Sequence, residues 1–152
     1  MRINWSKISS EGYNAMMGLE NFVEKSKLEP KIKELIKIRA SQINGCAYCL
    51  DMHTKDARAI GESEQRINVV SAWREAPFYS PRERAALAWS ESLTLLSQSG
   101  APDDVYTELE RLFKPEEIVE LTFSIIVINS WNRLTVGFRS DVGNYVSDKQ
   151  PL

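Results

Sequence analysis

The chain has 152 residues, a net charge of −2 and a sequence pI near 5.5, with 43% hydrophobic and 26% charged residues. That composition fits one soluble globular domain spanning 1–152, and the absence of an overall basic surplus argues against a nucleic-acid binder. The opening MRINWSKISS is broken by polar residues before an apolar leader core forms, and no apolar run is long enough to cross a bilayer, so a cytoplasmic protein is expected.

In chain order the signals are helical. Ala15, Met16, Leu19, Phe22 and Val23 form an apolar stripe that predicts a helix over 14–27. Pro30 suits the first turn of a second helix, running through Ile32, Leu35, Ile36 and Ile38 toward Ser41, with Asn44-Gly45 as punctuation. A third is expected from Cys46 to Ile60, stopped by Gly61. Glu62-Ser63-Glu64 opens a short helix through Ile67, Val70 and Trp73, which Ala76-Pro77 ends. Ser80-Pro81-Arg82-Glu83 combines an N-cap Ser, Pro at the first helical position and Glu at the third, predicting a helix that reaches Leu96 and ends near Gly100. Two more begin at Pro102-Asp103 and at Lys114-Pro115-Glu116-Glu117. The Val, Ile and Thr residues of 121–136 make a strand the competing assignment there, and the Pro-Glu-Glu start favours helix. The tail from about 140 is expected to be loosely held. The expected class is all-α.

An internal echo accompanies this pattern. Pro30 and Pro115 stand as far apart as Ile43-Asn44 and Ile128-Asn129. Each segment opens at Pro and carries Ile-Asn near its end, pointing to a duplicated helical hairpin whose cysteines are kept in one copy.

Chemistry concentrates in 41–53. The only two cysteines, Cys46 and Cys49, are three residues apart, and the only histidine, His53, is four residues after Cys49. In a helix beginning at Cys46 the two sulfurs share one face, with Cα atoms roughly 5–6 Å apart, within reach of a disulfide. Unpaired N–H groups at a helix start favour thiolate, the nucleophilic form. An imidazole on the same face can exchange protons with a thiol, and Glu34 on the preceding helix is placed to orient it. Three other readings stay open. The cysteines serve as small buried hydrophobes; Cys46, Cys49 and His53, with Glu34 as fourth ligand, form a zinc site; or Glu34 is a solvated residue on a Lys-rich face. Asn129, Trp131, Asn132 and Arg133 form a second, polar-aromatic cluster that organises the core or meets a partner.

Glu34-x11-Cys46-x-x-Cys49-x-x-x-His53 resembles the alkylhydroperoxidase D family of the carboxymuconolactone decarboxylase-like superfamily, strongest over about 30–61. The resemblance implies an all-helical fold and thiol-dependent reduction of alkyl hydroperoxides, with disulfide reduction or a non-turnover redox sensor or assembly module as the alternative. It implies Cys49 as peroxidatic thiolate, Cys46 as resolving thiol, and His53 with Glu34 as proton relay. It also implies no haem, flavin or obligatory metal, a homotrimer or homohexamer, and a lipoyl-bearing or thioredoxin-like dithiol protein as reductant. Tyr48 stands where the best-known members carry a second histidine and is a supporting residue in this reading. Decarboxylation is disfavoured, because decarboxylase relatives lack the cysteine pair. Nucleic acid and membrane are not expected partners.

Overall fold

A computed structural model describes all 152 residues. The chain is all-α, with helices α1 (Trp5–Ile8), α2 (Ser10–Glu24), α3 (Pro30–Ile43), α4 (Ala47–Ala59), α5 (Glu64–Val69), α6 (Pro81–Thr94), α7 (Leu96–Ser99), α8 (Asp103–Leu112) and α9 (Pro115–Phe138). A 3-10 turn, Val70–Ala72, extends α5.

Helix α3 is the centre of the fold. Its residues Ile32 to Ile38 are all buried, including Lys33, Glu34 and Lys37, as α4, α6 and α9 pack around it. One apolar cluster joins Ile32 and Ile36 to Ala86, Leu109, Leu121 and Ile125; another joins Leu35 and Ile38 to Ala57, Val70, Trp73 and Leu87. A charged side chain in such a helix needs partners, because burying a bare ion is prohibitive. Lys33 caps the C-terminal end of α2, its Nζ donating to the Glu24 carbonyl at 3.2 Å. Lys37 pairs with Glu20 and Glu24, both at 3.1 Å.

The strand alternative for 121–136 is not realised. Glu117 accepts the Lys114 backbone N–H at 2.8 Å, and hydroxyls that would otherwise disrupt the helix bond back to carbonyls four residues earlier, as Ser124 does to Glu120. The α6 start follows expectation: Ser80 Oγ accepts the Glu83 N–H at 3.2 Å and Glu83 accepts the Ser80 N–H at 2.7 Å. Its end does not, because the helix breaks at Leu95 and resumes as α7, which Gly100 stops in the left-handed conformation. Helix α2 lies earlier than the apolar stripe suggests, and Lys27 lies beyond it with its N–H on Glu120 at 3.2 Å. Helix α1 carried no sequence signal.

Two echo segments lie side by side. Helices α3 and α9 run parallel, with Lys27 held by Glu120 at one end and Asn44 bonded to Asn129 at 2.9 Å and to Asn132 at 2.8 Å at the other. After α9 the chain forms no further helix. The tail is irregular in backbone but not loosely held. Tyr145, Ser147 and Lys149 are half-buried and alternate with exposed neighbours, as in an extended strap. Tyr145 donates to Asp56 at 2.8 Å, and Lys55 bonds the Tyr145 carbonyl at 3.0 Å.

Candidate active site

The turn between α3 and α4 sets the site. Gly45 takes φ +64°, and the Cys46 N–H returns to the Ser41 carbonyl at 2.9 Å. Such a left-handed residue after a helix closes its last carbonyls and is accessible to glycine without strain. Cys46 is therefore the N-cap of α4 rather than its first residue, and its Sγ accepts the Cys49 N–H at 3.2 Å. A sulfur in the place of a Ser or Asp cap oxygen faces the unpaired donors of the helix start. Asn44 and Ser41 tie the turn to α9 through Asn129 and Asn132, the latter donating to Ser41 Oγ at 3.1 Å. The polar cluster singled out in the sequence thus clamps the cysteine turn.

Both sulfurs are about 1% exposed, and both lie against one hydroxyl: Thr135 Oγ1 is 3.0 Å from Cys46 Sγ and 3.4 Å from Cys49 Sγ. A hydrogen bond from the Cys49 thiol, opposed by burial and helped by Thr135, draws the Cys46 thiol down to about 6. Donating that bond, together with burial, pushes the Cys49 thiol up. The two shifts oppose each other, the capping sulfur drawn toward thiolate and its neighbour away from it.

Glu34 is not a solvated residue. Burial pushes its carboxyl up, but the His53 hydrogen bond and charge, Lys37 and Lys149 outweigh that and hold it down at about 2. Its Oε2 faces His53 Nδ1 at 2.9 Å and its Oε1 accepts from Lys149 at 3.1 Å. An ionised carboxylate only accepts, so His53 donates from Nδ1–H, and its Nε2 makes no hydrogen bond within the protein. His53 makes no hydrogen bond to either sulfur.

A cavity of about 850 Å³ lies between α2, α4, α9 and the strap. Cys49 and His53 line it and Cys46 does not. Its walls include Trp5, Tyr13, Tyr48, Met52 and Trp131, with Tyr145 and Lys149 from the strap. Burial and the nearby Cys49 push the Tyr48 phenol above its ordinary value, so it is a proton donor at neutral pH.

The sequence-predicted zinc set is not assembled as one. The group close enough to hold a cation is Glu34, His53 and Asp56, with ligand atoms within 4.8 Å of one another and no cysteine among them. Lys149 on Glu34 and Tyr145 on Asp56 already occupy two of these. Thr135, Tyr145 and Lys149 were missed by sequence reasoning, which carries no local signal for partners so distant in the chain, whereas Asp56, three residues after His53 on the same helix, had a helical-spacing signal that was passed over.

Comparison with known proteins agrees with this architecture. The model of the carboxymuconolactone decarboxylase family matches residues 10–92. The chain is 44% identical to the uncharacterized protein YdfG of Bacillus subtilis over 148 residues, 97% of this chain and 98% of YdfG. A crystal structure from Agrobacterium tumefaciens, of a protein of unknown function described as an antioxidant defence protein of the AhpD type, superposes with a TM-score of 0.91 at 51% identity, covering 95% and 99% of the two chains. The debrominase Bmp8 shares the fold alone, at 23% identity and a TM-score of 0.71 over 86% of this chain and 70% of its own. The matching family takes its name from an enzyme, a decarboxylase. Fold, motif and relatives together place the chain in the carboxymuconolactone decarboxylase family, as an alkylhydroperoxidase D-like member.

Proposed function

We propose that the protein is a thiol-dependent peroxidase that reduces organic hydroperoxides through Cys49 and Cys46. The observation that carries this reading is the division of the pair: Cys49 lines the cavity, while Cys46 sits behind it as the sulfur that caps α4 and accepts the Cys49 N–H. In the first step the Cys49 proton passes to Cys46 and the Cys49 thiolate attacks the distal peroxide oxygen. The S–O bond forms, the O–O bond breaks, and the departing alkoxide is protonated to an alcohol. Cys49 is then a sulfenic acid. Deprotonated Cys46 attacks the Cys49 sulfur and displaces the hydroxyl, which leaves as water, and the disulfide closes. A dithiol protein, lipoyl-bearing or thioredoxin-like, restores two thiols. One hydroperoxide and one dithiol thus give alcohol, water and a disulfide.

His53 and Glu34 serve the proton transfers. Glu34 fixes the imidazole with Nε2 free, on a residue that borders the same cavity as Cys49. A peroxide held there bridges a gap that no direct hydrogen bond spans, in keeping with acid–base groups that engage only once substrate is present.

The test is dithiol oxidation with cumene hydroperoxide, run beside Cys46→Ser and Cys49→Ser. Peroxide-dependent turnover, a sulfenic acid trapped by a dimedone probe in Cys46→Ser, and none in Cys49→Ser are expected. Turnover with disulfides but not peroxides would make the protein a disulfide reductase; no turnover with either would leave a redox sensor. Inverted labelling would exchange the two sulfurs' roles. We also propose assembly as a homotrimer or homohexamer, supported by exposed Ile3, Ile8, Val119 and Ile126, and light scattering tests it.

A further inference from the structure

We infer that Thr135 is a catalytic residue, whose hydroxyl bonds whichever of Cys46 and Cys49 carries the charge as the charge moves between them. The inference rests on the proposed thiol chemistry only for its turnover step.

The geometry is specific. Thr135 lies on α9, 89 residues from Cys46, and its Oγ1 stands 3.0 Å from Cys46 Sγ and 3.4 Å from Cys49 Sγ. The same oxygen is 2.8 Å from the Trp131 carbonyl and 3.3 Å from that of Asn132. The site is about 6% exposed. A hydroxyl has one proton and two lone pairs, so it cannot donate to a carbonyl and a sulfur at once. With both cysteines protonated, the proton goes to the Trp131 carbonyl and the lone pairs accept from S–H. Once a thiolate forms, rotation about the C–O bond turns the proton toward sulfur. A hydrogen bond to a charged acceptor is the stronger one. Because both sulfurs are in reach, the proton follows the charge from Cys46 to Cys49 and back without movement of any heavy atom.

The surroundings leave this task to Thr135. Of the other groups near the pair, His53 on α4 is committed to Glu34 on α3, the Asn132 amide on α9 donates to Ser41, and Tyr48 stays a neutral phenol. The cations Lys37 and Lys149 are held by Glu20, Glu24 and Glu34. Thr135 Oγ1 is the side-chain atom within hydrogen-bonding distance of both sulfurs, and the Asn132 amide beside it pulls both thiols in the same direction. The pull of Thr135 lowers both thiols, in accord with the shift at Cys46.

Thr135→Val keeps the shape and removes the hydroxyl; Thr135→Ser keeps the hydroxyl. Thiolate formation is followed against pH by ultraviolet absorbance, without peroxide, on the full chain with its helical content checked. The Val variant should raise the titration midpoint by about one to two pH units, as expected for one lost hydrogen bond to a charged group, and the Ser variant should stay close to wild type. Peroxide turnover at neutral pH should fall by roughly tenfold or more in the Val variant only. Thr135→Ala serves as a second hydroxyl-free variant if Val disturbs the fold. A midpoint unchanged in both hydroxyl-free variants overturns the inference, whether or not the protein reduces peroxides. A shifted midpoint in a protein that does not reduce peroxides upholds the sulfur contact and refutes the peroxidase reading instead.

Discussion

Glu34→Gln tests the charge at the centre of the site through stability, apart from any activity. The Glu34 carboxyl sits at about 2 against an ordinary 4.5, and its side chain is 2% exposed, so little solvent screening reduces the effect. A displacement of about 2.5 units corresponds to about 3 kcal/mol favouring the ionised native form. The sign follows from linkage: a carboxyl depressed in the native state adds stability fully above its unfolded value near 4.5, and loses it as pH falls toward 2. Glu34→Gln should therefore cost about 3 kcal/mol at neutral pH, roughly 6–12 °C in Tm for a chain of this length, and progressively less below pH 4.5. Glu24, Glu91 and Glu117 are also held low, but they titrate in both proteins and cancel in the difference. Urea unfolding of the two proteins at neutral pH and at two acid values is the assay. A stability difference that does not shrink with acid would refute the reasoning.

Further outcomes follow from other parts of the structure. Thiolate absorbance of the reduced protein should rise with a midpoint near pH 6, and Cys46→Ser should move that midpoint upward. Lys149→Met should lower stability by about 1–2 kcal/mol, less than a fully buried pair because the lysine side chain is 26% exposed, and should raise the acid transition assigned to Glu34. Ile36→Ala, at a site with 0% exposure, should cost about 2–5 kcal/mol in urea unfolding without altering the thiol titration.

Much of the fold and half of the site were legible in the sequence for a physical reason. Pro30, Ser80-Pro81 and Lys114-Pro115 are local instructions, and the helices start where they stand. Cys49 and His53 are one helical turn apart and Cys46 is three residues before Cys49, so their proximity could be read at short range. Glu34 was legible as a partner for His53 but not as a buried carboxylate, because Lys33 and Lys37 give its helix the look of a solvated face. Their burial depends on acceptors from α2, which periodicity within α3 does not reveal. Thr135 and Lys149 reach the site from 86 and 115 residues away, so only tertiary packing places them. The tail's polar composition gave no sign that its alternate residues dock.

The strap separates folding from the state of the site. Lys149, which neutralises one oxygen of Glu34, lies beyond an exposed segment at Asp141–Asn144, while all nine helices precede it. A protease that nicks the chain at Gly143 cuts loose Tyr145 and Lys149, opens one wall of the cavity and leaves the helical body whole. Circular dichroism would register little change in such a molecule, although the charge around Glu34 and His53 had been rearranged. A ligand seated against Tyr145 and Lys149 would hold the strap down and slow the cut, so the rate of clipping in the tail is a direct gauge of cavity occupancy that needs no turnover.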